Sequence, residues 1–120
     1  MMQNFRSYWN TNFPASTNPR DTTHLFSGKP NVLAQGWAYV GVICASPTFA
    51  YGVSGRVDWA PAKFLLTAHE IGHNVGATHV DTAQGCSNSL MNIQLTAATP
   101  LSFCTYSQNE ISTYTGANSA

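Results

Sequence analysis

The sequence predicts one small α/β domain of the α+β kind, a short sheet followed by an internal helix and a C-terminal helix. Two patterns point there. Short apolar segments cut by glycine and proline fill the first half, and a segment of helical period runs from Pro61 to Val75, stopped by Gly76. Length is the third observation, since 120 residues build one hydrophobic core.

The elements follow in order. Met1 to Trp9 reads as the end of a helix, with Phe5 and Trp9 at i and i+4. Thr11 to Thr23 is rich in Asn, Pro, Ser and Thr and reads as a loop. Three strands are expected, Thr23 to Ser27, Trp37 to Cys44 and Tyr51 to Val57, separated by Gly28-Lys29-Pro30 and Ser46-Pro47. The second is apolar on both faces, which suits a buried strand or one lining a cleft. Pro61 fits the first position of a helix, where its missing N–H goes unused. Along that helix Phe64, Ala68, Ile71 and Val75 form one apolar stripe, expected to pack, while Ala62, Leu66, His69 and His73 form an adjacent line. Gly76 supplies the left-handed turn that ends it. Ser107 to Tyr114 reads as the C-terminal packing helix, with Ser107 and Glu110 at capping-box spacing.

Composition excludes several functions. Charged residues are 8% of the chain, and five Lys and Arg balance five Asp and Glu. Five scattered cations make no patch able to displace counterions from phosphates, so no nucleic-acid partner is expected, and a polybasic membrane tether fails for the same reason. No apolar run reaches the roughly 18 residues of a membrane span, so no membrane insertion is expected. Residues after Met1 and Met2 show no secretory h-region. Hydrophobic residues at 43% argue against disorder. A monomer is expected.

The chemistry lies in His69-Glu70-Ile71-Gly72-His73-Asn74-Val75-Gly76-Ala77-Thr78-His79. On a helix, residues four apart lie about 40° apart in rotation and about 6 Å apart along the axis, so His69 and His73 can converge on one tetrahedral zinc ion. Gly76 turns the chain so that His79 can return as third ligand, leaving the fourth position to water. Glu70 would be the general base for that water. Chance does not explain the pattern: its five fixed positions, at this chain's own residue frequencies, are expected roughly 5 × 10⁻⁶ times.

These residues resemble the metzincin zinc endopeptidases, whose HExxHxxGxxH motif is matched by His69, Glu70, His73, Gly76 and His79. Ser89-Leu90-Met91-Asn92 resembles their Met-turn, with Met91 beneath the ligands. The nearest likeness is to the adamalysin or reprolysin (M12B-type) group, over about Phe5 to Ile111, through His24 to Gly28, Gly36 to Gly41 with Cys44, Tyr51 to Ser54, and Ala68 to His79. It implies a zincin-like fold with a mixed sheet, one catalytic Zn2+, a protein or peptide substrate and a secreted protein. Trp37, Ala38, Tyr39, Val40, Gly41 and on to Val42 would form the edge strand on which substrate adds, and Ile93 a wall of the pocket. Ile93 stands where the astacin and serralysin branches carry a metal-reaching tyrosine, so no fifth ligand is expected.

The resemblance has departures. Val80 replaces the Asp that usually follows the third His, the acid coming one position later as Asp81. The family's domain begins with a strand, a helix and a second strand that this sequence does not contain, so residues 1–120 are expected to be a single but incomplete catalytic domain, the C-terminal portion. Cys86 and Cys104 resemble a family disulfide; Cys44 is then left over, and reads as a buried small hydrophobe. His24 reads as surface or packed, and Trp9, Trp37 and Trp59 as core or cleft packing. Two functions follow, a zinc endopeptidase or a zinc-binding but inactive fragment or interaction module. An intact Glu70 favours the first.

Overall fold

The computed structural model describes residues 1–29, 35–58 and 62–119. Its elements are α1 (Met2–Asn12), β1 (Thr23–Phe26), β2 (Gly36–Ala38), β3 (Tyr51–Ser54), α2 (Ala62–Asn74), one turn of 3₁₀ helix (Thr82–Gln84) and α3 (Thr105–Asn118). Among the described residues the sheet has three strands in the order β1-β3-β2, with β1 parallel and β2 antiparallel to β3. The fold is the small α+β arrangement with a mixed sheet.

Alternation along β3 assigns the layers. Tyr51 and Val53 join Met2, Phe5 and Trp9 of α1 and Leu25 of β1 in one core, the Phe5 and Tyr51 rings meeting edge to face at 5.6 Å. Ser54 bonds instead to His24 Nε2 at 2.8 Å and to Thr67 of α2 at 3.2 Å. Hence α1 and α2 cover opposite faces, and β3, buried at all four residues, is the centre of the sheet. Arg20 fastens α1 to that centre, donating to the Phe13 carbonyl at 2.7 Å and to the Tyr51 hydroxyl at 2.7 Å. A second core of Ala77, Val80, Cys86 and Met91, with Phe103 and Ile111 packed on it, joins α2 to the C-terminal segment.

Several expected boundaries are corrected. The strand expected over Trp37 to Cys44 stops at Ala38, because the amides beyond it bond elsewhere: Gly41 N–H reaches the His73 carbonyl at 2.8 Å, and Val42 and Ile43 N–H reach the Asn74 carbonyl at 3.0 and 3.2 Å. These carbonyls close α2 and have no partner within it, so the segment caps the helix instead of extending the sheet. The third strand ends at Ser54, while Val57 packs against Leu66 and Leu95. The first helix runs to Asn12, three residues past Trp9.

The stripe expected to pack on α2 faces outward at two points, Phe64 being 62% exposed and Ile71 39% exposed. Other sides of the helix are buried. Gly72 faces the second core, where a Cβ would lie 2.7 Å from Met91 Sδ; Leu66, His69, Glu70 and His73 line the cleft beside β2. A helix wedged between a sheet and a second core is buried on more than one side, and both of its histidines open onto the cleft. The C-terminal helix begins at Thr105, and no capping box forms: Cys104 is its N-cap without a side-chain bond, Ser107 is fully buried, and Glu110 turns to Thr78. Pro61 and Trp59 lie outside the described residues.

Candidate metal centre

One turn of α2 separates His69 from His73, and their Nε2 atoms lie 3.1 Å apart. The chain then reverses at Gly76, whose φ of +98° is left-handed. Its N–H returns to the His73 carbonyl at 2.9 Å, and Ala77 N–H to the Gly72 carbonyl at 2.9 Å. A side chain at Gly76 would also strike Tyr114, whose Cβ is 2.6 Å from the place of a Cβ. This turn brings His79 Nε2 to 3.1 Å from His69 Nε2 and 3.2 Å from His73 Nε2.

The tautomers follow from the other ring nitrogens. His69 Nδ1 stands 2.7 Å from the Leu90 carbonyl, and His73 Nδ1 stands 2.8 Å from the Ala77 carbonyl. A carbonyl only accepts, so both Nδ1 atoms carry the proton and both Nε2 atoms present bare lone pairs. Lone pairs aimed at one another repel, and a cation between them relieves it. The spacing suits zinc, for an ideal tetrahedron with Zn–N near 2.05 Å needs nitrogens about 3.3 Å apart. Burial lowers the pKa of His69 to about 4 and also lowers those of His73 and His79. All three shifts favour the neutral ring that binds a metal.

Glu70 follows His69 in the helix and lines the same cleft, only 4% exposed. Burial pushes its carboxyl up to about 8. A cation held by the histidines acts against that rise, since opposite charge favours the carboxylate. Gly36 of β2 lies against it: a Cβ there would collide with Glu70 Oε1 and stand 2.8 Å from Leu66 Cδ1.

The cleft encloses about 750 Å³ beside the three histidines, with β2 on one wall and Ile93 to Thr96 on the other. Of the residues expected to bind substrate, Trp37, Ala38 and Ile93 line it, Trp37 and Ile93 being 56% and 76% exposed. Tyr39, Val40 and Gly41 do not. The Tyr39 ring meets Phe49 edge to face at 5.3 Å, Val40 is exposed, and Gly41 caps α2. Met91 is fully buried against Gly72, and the preceding Leu90 supplies the carbonyl that orients His69. A disulfide joins Cys86 to Cys104. Cys44, read as buried, is instead exposed, on a turn at φ 64°. His24 is half-buried on β1, bonded to Ser54 and apart from the metal cluster.

Three further side chains hold the site. Asn74 donates through Nδ2 to the Tyr39 and Tyr51 carbonyls at 2.8 and 3.2 Å and accepts from the Thr22 hydroxyl at 2.8 Å. Asn92 donates to the Val80 and Cys86 carbonyls at 2.7 and 2.8 Å, fixing the Met-turn to the loop that carries His79. Glu110 accepts from Thr78 beside that same histidine. Only Asn74 lies within the motif, at one of its unspecified positions, and its residue type carries no signal of a buried hub.

A family model described as Reprolysin (M12B) family zinc metalloprotease matches residues 1–120. The chain belongs to the reprolysin family. Zinc is therefore the metal that membership implies for the His69, His73 and His79 cluster, and hydrolysis of peptide bonds the chemistry of the family. Among the described residues of this reprolysin, no helix is long and apolar enough to cross a membrane.

Proposed function

We propose that this reprolysin is a secreted zinc endopeptidase in which His69, His73 and His79 hold the metal and Glu70 is the general base. One observation carries the reading: three Nε2 atoms, two with bare lone pairs, converge beside a buried carboxylate in an open cleft. Zinc, when bound, supplies Lewis acidity toward the scissile carbonyl and the attacking water. Glu70 takes the water proton at its carboxylate and returns it to the leaving amine nitrogen. Its place in the cleft, one residue along the helix from His69, suits that transfer.

The edge of β2, unpaired on its outer side among the described residues, offers main-chain groups to an extended peptide, which would add as a further strand. Trp37, Ile93 and Leu95 give the cleft uncharged walls. The Cys86–Cys104 bond suits an oxidising, extracellular compartment.

The test is Glu70→Ala with zinc content and hydrolysis of a denatured protein measured together. The expected outcome is zinc retained and hydrolysis lowered by about 10²-fold or more. Undiminished cleavage removes Glu70 from the base role. The alternative, a zinc-binding module without hydrolysis, is favoured by β1, whose outer edge has no partner strand among the described residues. A zinc-loaded wild-type chain that cleaves nothing would establish it.

A further inference from the structure

The third ligand is held differently from the other two. His69 and His73 are fixed by α2 and by ring bonds to the Leu90 and Ala77 carbonyls. His79 stands exposed on a loop, so its place is set by the backbone on either side. After it, Val80 N–H donates to the Met91 carbonyl at 3.1 Å, and the Val80 carbonyl accepts from Asn92. Before it stands Thr78, whose N–H and hydroxyl both donate to one carboxylate, Glu110 Oε2 at 3.0 Å and Glu110 Oε1 at 2.6 Å. Bonds to an ionised acceptor are stronger than neutral ones, and two on one residue fix orientation as well as distance.

Glu110 belongs to α3, which is itself anchored close by. Tyr114, one turn further on, donates its hydroxyl to the Ile43 carbonyl at 2.7 Å and lays its ring against Gly76. Thr78 is exposed and Glu110 half-buried, so the pair contributes little to either core. What it orders is the loop between Gly76 and His79. A ligand already in place loses less freedom on binding, and that saving appears as affinity.

We propose that Glu110 is a positioning residue for the metal centre: its grip on Thr78 fixes where His79 presents Nε2, and thereby sets how tightly zinc is held and how slowly it leaves. This rests on the zinc site proposed above. The experiment measures zinc affinity of the full chain by chelator competition, zinc release rate, and the thermal midpoint of the metal-free protein. Variants are Glu110→Ala, Glu110→Gln and Thr78→Val, with the visible spectrum of the cobalt-substituted protein as a second readout of ligand geometry.

Glu110→Ala is expected to weaken zinc binding about tenfold or more and to speed release. Glu110→Gln, keeping one acceptor, should recover part of that loss. Thr78→Val should weaken binding less, and should add nothing when combined with Glu110→Ala. A folded Glu110→Ala chain with wild-type zinc affinity and cobalt spectrum overturns the proposal, even if its thermal midpoint falls. Should Glu110→Ala not fold, unchanged affinity in both Glu110→Gln and Thr78→Val overturns it equally. A wild-type chain that binds no zinc is a different result, since it refutes the metal site itself along with the role of Glu110.

Discussion

Replacing Asn74 should destabilise the protein more than replacing any other single polar residue of α2. Its side chain is fully buried and makes three hydrogen bonds, to the carbonyls of Tyr39 and Tyr51 and from the hydroxyl of Thr22. At about 1 kcal/mol for each bond, with a further penalty for acceptors left dry, Asn74→Ala should lose about 3–4 kcal/mol. That is a large part of the roughly 5–15 kcal/mol by which a domain is stable. Asn74→Asp should be worse, because a carboxylate has no donor and would face two carbonyl oxygens. Urea unfolding of the metal-free chain reads both, as a lower midpoint at unchanged slope. A loss under about 1 kcal/mol for Asn74→Ala, or an Asp variant as stable as wild type, would refute the hub.

Replacing Cys86 and Cys104 together by alanine removes a bond that spans 18 residues. Loop-closure entropy puts the loss at about 3 kcal/mol, or roughly 10 °C in Tm at this chain length; a scanning calorimetry shift under a few degrees contradicts it. Gly36→Ala places a methyl on Glu70 Oε1 and Leu66, so hydrolysis should fall about tenfold or more with zinc content unchanged. Full activity in that variant would show that Glu70 does not work against β2. Because burial holds the three imidazoles neutral below their ordinary 6.5, zinc should stay bound as pH falls through 6.5 and leave only further down. Half-release above pH 6.5 in a metal-content titration runs against the buried ligand set.

Legibility followed the range of the interactions. The ligand motif is local: helical spacing alone brings His69 and His73 together, and a glycine at the right place returns His79, so all three meet as expected. The end of β2 is not local. Ala38 is its last residue because the amides of Gly41, Val42 and Ile43 bond to the end of α2, more than 30 residues away, which no period in the strand announces. The outward turn of Phe64 and Ile71 has the same origin, since burial on two sides of α2 is decided by the Met-turn and the sheet together. Ser107 and Glu110 have cap spacing, but the helix starts two residues before Ser107, which is buried inside it, and Glu110 bonds to Thr78 instead. Asn74, Asn92 and Glu110 are ordinary polar residues until the fold surrounds them.

Everything proposed for the site depends on three histidines of this chain holding one zinc ion. Elemental analysis of the purified, exhaustively dialysed protein, beside its His79→Ala variant, tests this. One zinc per folded wild-type chain, lost in the variant, is the predicted result. A folded wild-type chain that retains no zinc, or a variant that retains it fully, would refute the three-histidine site.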